Sequence, residues 1–221
     1  MEMAFIYSPY DEAPASLYPE VKKFSEGLYA RIPDIKILGT IYDEEPSALY
    51  GAIDIWSRSP EKSKFVDERL AAGDEFWTAN APFIALEEEP FVNRNFFWTL
   101  PAYGYTGILF WNAVGGYGND NPWEDPMVAG VNGNAHLIYP HKDGPLSSTR
   151  WEIVRDGIED YDYLVLLEKE VSRVGNRDQE LFEQAQAIIS QLTLEGFKTK
   201  DELYATREKI ARLIEKFRAL K

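Results

Sequence analysis

Short apolar runs alternate with amphipathic stretches through the first half of the chain, and the alternation predicts an architecture. Five runs, "MAFIYS" (3–8), "IKILGT" (35–40), "AIDIWS" (52–57), "EFWTAN" (75–80) and "GILFWNAV" (107–114), each read as a strand. After the first of them, "SLYPEVKKFSEGLYARI" sets Leu17, Val21, Phe24, Leu28 and Ile32 three or four positions apart, the spacing of one buried helical face. Weaker helical patterns fill 46–51, 61–72 and 91–104. Strands alternating with helices imply parallel βαβ units, and right-handed crossovers then favour a barrel or a doubly wound sheet.

The pattern changes after the fifth run. Residues 115–148 are rich in Gly, Asn, Asp and Pro, which predicts a long irregular connection with one short strand at "AHLIYP". Loops of that length inside a compact domain usually carry function. Helical periodicity then takes over at 149–171, 178–193 and 200–219. The first and last of these helices open on capping boxes, Thr149 with Glu152 and Thr199 with Glu202. The expected organisation is an α/β part over 1–148 and a helical C-terminal part over 149–221.

Composition narrows the chemistry. The chain has 221 residues, 45% hydrophobic and 14% aromatic, enough for a substantial core. A formal charge of -14 argues against a nucleic acid or an anionic membrane surface as partner, since both reward Lys and Arg. With no cysteine and only His136 and His141, thiolate chemistry and Cys or His metal sites have little to build on, so no cofactor or metal is expected. Carboxylates remain. No apolar stretch has membrane-span length and the start lacks a signal-peptide pattern, which predicts a soluble chain, cytoplasmic by default, whatever the location of a parent protein.

In parallel α/β proteins, functional groups gather at the carboxyl ends of strands. Those ends supply Asp11 and Glu12 after the first strand, Tyr42 to Glu45 after the second and Asp54, Trp56 and Arg58 at the third. The fourth and fifth supply Trp77 with Asn80 and Trp111 with Asn112. Rings beside carboxylates and amides suit sugars: a ring stacks on the C–H face while polar groups bond the hydroxyls. Each group also has a plainer use. Asp11 and Glu12 can favour a helix N-terminus, the tryptophans can be core, and the asparagines can satisfy turn backbone.

The segment "NGNAHLIYPHKDGPLSSTRWEIVRDGIEDYDYLVLL" is more specific. Its Tyr139-Pro140, Gly144-Pro145, Ser148 to Glu152 and Arg155 to Leu164 resemble the C-terminal signature of the glycoside hydrolase family 123-like catalytic domain, also known as the domain of unknown function 4091. The likeness extends upstream through "NPWEDP" and "GYTGILFW" to the Tyr-x-x-x-Asp-Glu strand end at Tyr7 to Glu12, covering about residues 3 to 168. The resemblance implies a (β/α)8 TIM barrel whose Asp-Glu pair follows the fourth strand, and hence that this chain is a partial barrel of about the last five βα units with a helical C-terminal extension. It further implies β-N-acetylgalactosaminidase-like activity by substrate assistance, a class that needs no separate enzyme nucleophile. By carry-over, Glu12 is the general acid/base and Asp11 stabilises the 2-acetamido group, with Trp56, Trp77, Asn80, Trp111 and Asn112 as expected sugar contacts.

Ala13 stands where the family motif has proline directly after the pair. Five strands cannot close an eight-stranded barrel, so pairing with another copy or a separate chain is expected. A rival expectation from another class is a catalytically silent carbohydrate-binding or assembly subunit that kept the scaffold. A third pairs Glu12 with a carboxylate such as Asp43 or Asp54 as a conventional retaining glycosidase.

Overall fold

The computed structural model describes residues 4–43, 46–79, 82, 85–115, 121–175 and 177–220. It divides into two compact units, Met1–Asn80 with Tyr103–Trp111, and Ala81–Ala102 with Asn112–Lys221.

The first unit is the expected run of parallel strands: β1 (Phe5–Tyr7), β2 (Lys36–Thr40), β3 (Ile55–Arg58), β4 (Glu75–Thr78) and β5 (Gly107–Ile108), in chain order across one sheet. Every neighbouring pair is parallel. Between them lie α1 (Tyr18–Tyr29), in the first crossover, and α2 (Lys64–Ala71), capped by Ser63, whose hydroxyl accepts from the Val66 N–H at 3.3 Å. The pattern at 46–51 forms only a 3-10 turn at Ser47–Leu49, and the fifth strand is two residues long rather than eight. The window at 46–51 is too short for a stable helix.

Register separates the two faces of this sheet. On one, Trp56 and Phe76 pack edge-on against Phe65 of α2, with ring centroids 5.2 and 5.7 Å away. On the other lie Phe5, Tyr7, Leu38, Thr40, Ile55, Ser57, Trp77 and Gly107, alternating with the first set along each strand. Phe5 and Trp77 meet here edge to face at 5.0 Å although they sit on the first and fourth strands. Three strand spacings in a flat sheet would separate those strands by about 14 Å. The sheet is therefore curled, a half barrel with Phe5 and Trp77 closing over its concave face. Gly107 is required there: a Cβ would stand 2.6 Å from the Trp77 ring.

The second unit begins with α3 (Pro90–Tyr103, all but its last residue) and continues through two small hairpins, β6 (Met127–Val128) with β7 (Val131–Asn132) and β8 (Ile138–Tyr139) with β9 (Leu146–Ser147). The long connection thus holds more strand than its composition predicts. Helices α4 (Thr149–Val174), α5 (Gln179–Gln191) and α6 (Lys200–Ala219) follow. The cap of α4 is Ser148, one residue before the expected Thr149; its hydroxyl accepts from the Trp151 N–H at 3.1 Å. Thr199 caps α6 as expected, accepting from the Glu202 N–H at 3.2 Å. Trp98 of α3 joins Leu164, Leu167, Val171, Leu181, Ala185, Ile188, Leu203, Ile210, Leu213, Ile214 and Phe217 in one apolar core. Among the described residues, no helix is long and apolar enough to cross a membrane.

Candidate functional site

Asp11 and Glu12 lie in the turn just past β1, at the carboxyl edge of the parallel sheet, both exposed. They are adjacent in sequence yet held differently. The hydroxyl of Tyr7, the last residue of β1, donates to Asp11 Oδ1 and lies 2.7 Å from Thr40 Oγ1 on the neighbouring strand. Tyr7 has one proton, which is committed to Asp11, so Thr40 donates to Tyr7 and the order is Thr40 to Tyr7 to Asp11. Burial, then the bond to Asp11, push the Tyr7 hydroxyl up to about 12. It stays neutral and remains a donor at ordinary pH.

Glu12 has a backbone φ of 48°, in the left-handed region that a glutamate rarely occupies. Among the described residues its carboxylate has no hydrogen-bond partner. The reversal at Glu12 turns the chain toward Ala13, which is buried, and leaves the glutamate projecting as a free arm beside an anchored aspartate. Tyr42, just past β2, is 41% exposed, and its hydroxyl is raised by burial and then by the charges of Glu12 and Asp11, against a lowering effect of Arg58.

The other acids expected as partners are occupied. Asp54 Oδ2 accepts from the Ile37 N–H and from the Tyr29 hydroxyl, each at 2.7 Å, at the opposite, amino end of β3. Asp43 Oδ2 accepts from the Tyr18 hydroxyl at 2.6 Å, and its carbonyl accepts from Arg58 at 3.1 Å.

The expected sugar contacts divide. Trp56 is not one of them: it is fully buried, its indole N–H donates to Asp74 Oδ2 at 2.6 Å, and its ring packs against Tyr50 and Phe65. Strand alternation explains this, since Trp56 points to the helical face of the sheet. Trp77 points to the concave face, half-buried, and its indole nitrogen is shielded from solvent without a partner. Trp111, after β5, is 44% exposed. Asn112 belongs to the second unit, where its Oδ1 accepts from the Val114 N–H at 3.0 Å, the turn-forming use. Asn80 lies outside the described residues. Tyr7 and Thr40 were not among the expected site residues. Tyr7 could have been found from its four-residue spacing to Asp11, whereas Thr40 needed the strand register.

The tail signature has a different use. Asp160 is fully buried and receives Arg94 twice, at 2.6 and 2.9 Å, Arg207 at 2.6 Å and the Trp98 indole at 3.1 Å. Gly157, one turn earlier, lets α4 approach α3: a Cβ there would stand 2.2 Å from the Phe97 ring. Arg150, also buried, donates to the carbonyls of Gly133 at 2.9 Å and His136 at 2.7 Å, tying the loop to the start of α4. His136 is buried with neither ring nitrogen bonded, and burial and Arg150 lower it below its ordinary value.

A comparison with curated proteins gives no match. The family model described as "Glycoside hydrolase 123, catalytic domain" matches residues 77–167, from β4 through most of α4, a shorter span than the likeness read from the sequence and one that leaves Asp11 and Glu12 outside it. Those residues are similar to the catalytic domain of glycoside hydrolase 123, the family that the tail signature resembles.

Proposed function

We propose that this chain is a glycosidase acting on terminal N-acetylhexosamine linkages, β-N-acetylgalactosaminide-like, by a substrate-assisted retaining mechanism. The observation that carries the reading is the unequal holding of two neighbouring carboxylates: Asp11 fixed by Tyr7, Glu12 free. Substrate assistance asks for that inequality. The fixed carboxylate accepts the acetamido N–H and balances the positive charge that develops as the acetamido oxygen attacks the anomeric carbon. The free one donates its proton to the glycosidic oxygen as the C–O bond breaks, then takes a proton from the water that opens the oxazolinium. Trp77 and Trp111 are the rings offered to the sugar. The occupied carboxylates of Asp43 and Asp54 weigh against a conventional two-carboxylate pairing with Glu12.

One observation favours a second reading. Phe5 and Tyr7 are 41% and 38% exposed on the concave face, and among the described residues no strand pairs beyond β1 or β5. A parallel sheet normally has both faces covered. On this reading the chain binds carbohydrate without cleaving it, or cleaves only once another copy or a separate chain has completed the barrel. Incubation with a chromogenic N-acetylgalactosaminide separates the two. Turnover that Glu12→Gln abolishes supports the glycosidase, and sugar binding without turnover supports the silent scaffold.

A further inference from the structure

Trp123 is the most exposed tryptophan of the six, at 61% against 44% for Trp111 and 38% for Trp151. It is nevertheless held firmly. Its backbone N–H donates to Asn121 Oδ1 at 3.2 Å, and its indole N–H donates to the Pro140 carbonyl at 2.8 Å. Its ring lies 5.0 Å from that of Tyr139, tilted by 48°. The Tyr139 hydroxyl accepts in turn from buried Arg150 at 3.4 Å. A chain of contacts therefore runs from the interior of the second unit out to an exposed ring.

Here the polar edge is satisfied and the apolar ring is offered to solvent, with its side-chain entropy already spent. Such a platform costs a ligand little further ordering. Of the exposed neighbours, Glu124 is an acceptor for hydroxyl donors, and with Asp125, whose Oδ1 already accepts from the Met127 N–H at 2.9 Å, it repels anions. Trp123 also falls inside the segment matching a glycoside hydrolase catalytic domain. We infer that Trp123, buttressed by Tyr139 and Pro140, is a stacking platform for a pyranose ring of a neutral or N-acetylated oligosaccharide, an inference that rests on the glycosidase reading for its ligand class.

The test is calorimetric titration of the whole chain with a soluble N-acetylgalactosamine-terminated oligosaccharide. Trp123→Ala is expected to weaken binding about tenfold, the size of one lost ring stack, while Trp123→Phe keeps affinity within about threefold. Thermal denaturation checks that both variants stay folded. Wild-type affinity in Trp123→Ala, an equal loss in Trp123→Phe, or no binding by the wild type would each overturn the platform. The two readings fail separately. Unchanged oligosaccharide affinity in Trp123→Ala, with turnover still lost in Glu12→Gln, overturns the platform alone. Affinity lost in Trp123→Ala, in a protein that turns over no chromogenic glycoside, supports the platform and overturns the glycosidase.

Discussion

The carboxylates Asp11 and Glu12 and the carboxylate of Asp160 have opposite surroundings. Asp160 is fully buried and saturated by two guanidinium groups and an indole. Asp11 and Glu12 are exposed, with one side-chain donor between them. The buried carboxylate sits in the most recognisable stretch of the chain, "RDGIEDYDYL". The candidate chemistry sits in an unobtrusive turn outside the family match. Within the signature, Asp160 and Gly157 build contacts between helices, and Arg150 ties the long loop to the start of α4.

Substitutions in the two regions are expected to fail differently, in rate at the turn and in stability at Asp160. The largest effect is expected on rate: Glu12→Gln lowers kcat about 10²- to 10⁴-fold, the usual share of a general acid, with an unchanged thermal midpoint. Retained turnover would take the chemistry away from this turn. Asp160→Ala is expected to cost about 3–5 kcal/mol in denaturant unfolding, because two guanidinium groups lose a buried partner. Gly157→Ala follows at about 1–3 kcal/mol, the range for overpacking a close helix crossing. Tyr7→Phe is the mildest, lowering kcat about tenfold with little change in KM, as expected for a lost hydrogen bond to a charged group. A change confined to KM would mean that Tyr7 binds rather than positions.

Tyr7 also carries a pH signature. Its hydroxyl is raised from 10.0 to about 12, so the folded chain holds this proton more tightly than the unfolded one. The associated stability is complete below 10.0 and is lost as pH rises toward about 12. Alkaline denaturation over that window should be shallower in Tyr7→Phe, and an identical slope would count against the burial and the bond to Asp11 that together raise this hydroxyl.

Much of the fold was legible. Five apolar runs became five parallel strands in order; in the central strands β2 and β3, burial on both faces leaves a near-continuous apolar signal. The same continuity hid which face each residue takes, and so Trp56 was read as a ligand platform when it is core. Of the hairpins in the long connection only β8 was foreseen, at "AHLIYP"; the other three strands were invisible to periodicity, since pairs of two residues leave no period to read. The capping residue of α4 was misplaced because Ser148 and Thr149 offer the same hydroxyl chemistry one position apart. For the site, the acidic pair could be seen but its unequal holding could not: that depends on Thr40, 33 residues from Tyr7 and brought near only by the pairing of β1 with β2.

The four hydrogen bonds at Asp160 have a consequence for motion. One carboxylate on α4 is bonded to α3 across 62 and 66 residues of chain and to α6 across 47. None of these three helices can separate without exposing charges that the others neutralise. Their amides should therefore exchange with deuterium as one cooperative unit, with a shared opening free energy. Helix α5, which does not touch that carboxylate, is left free to open earlier.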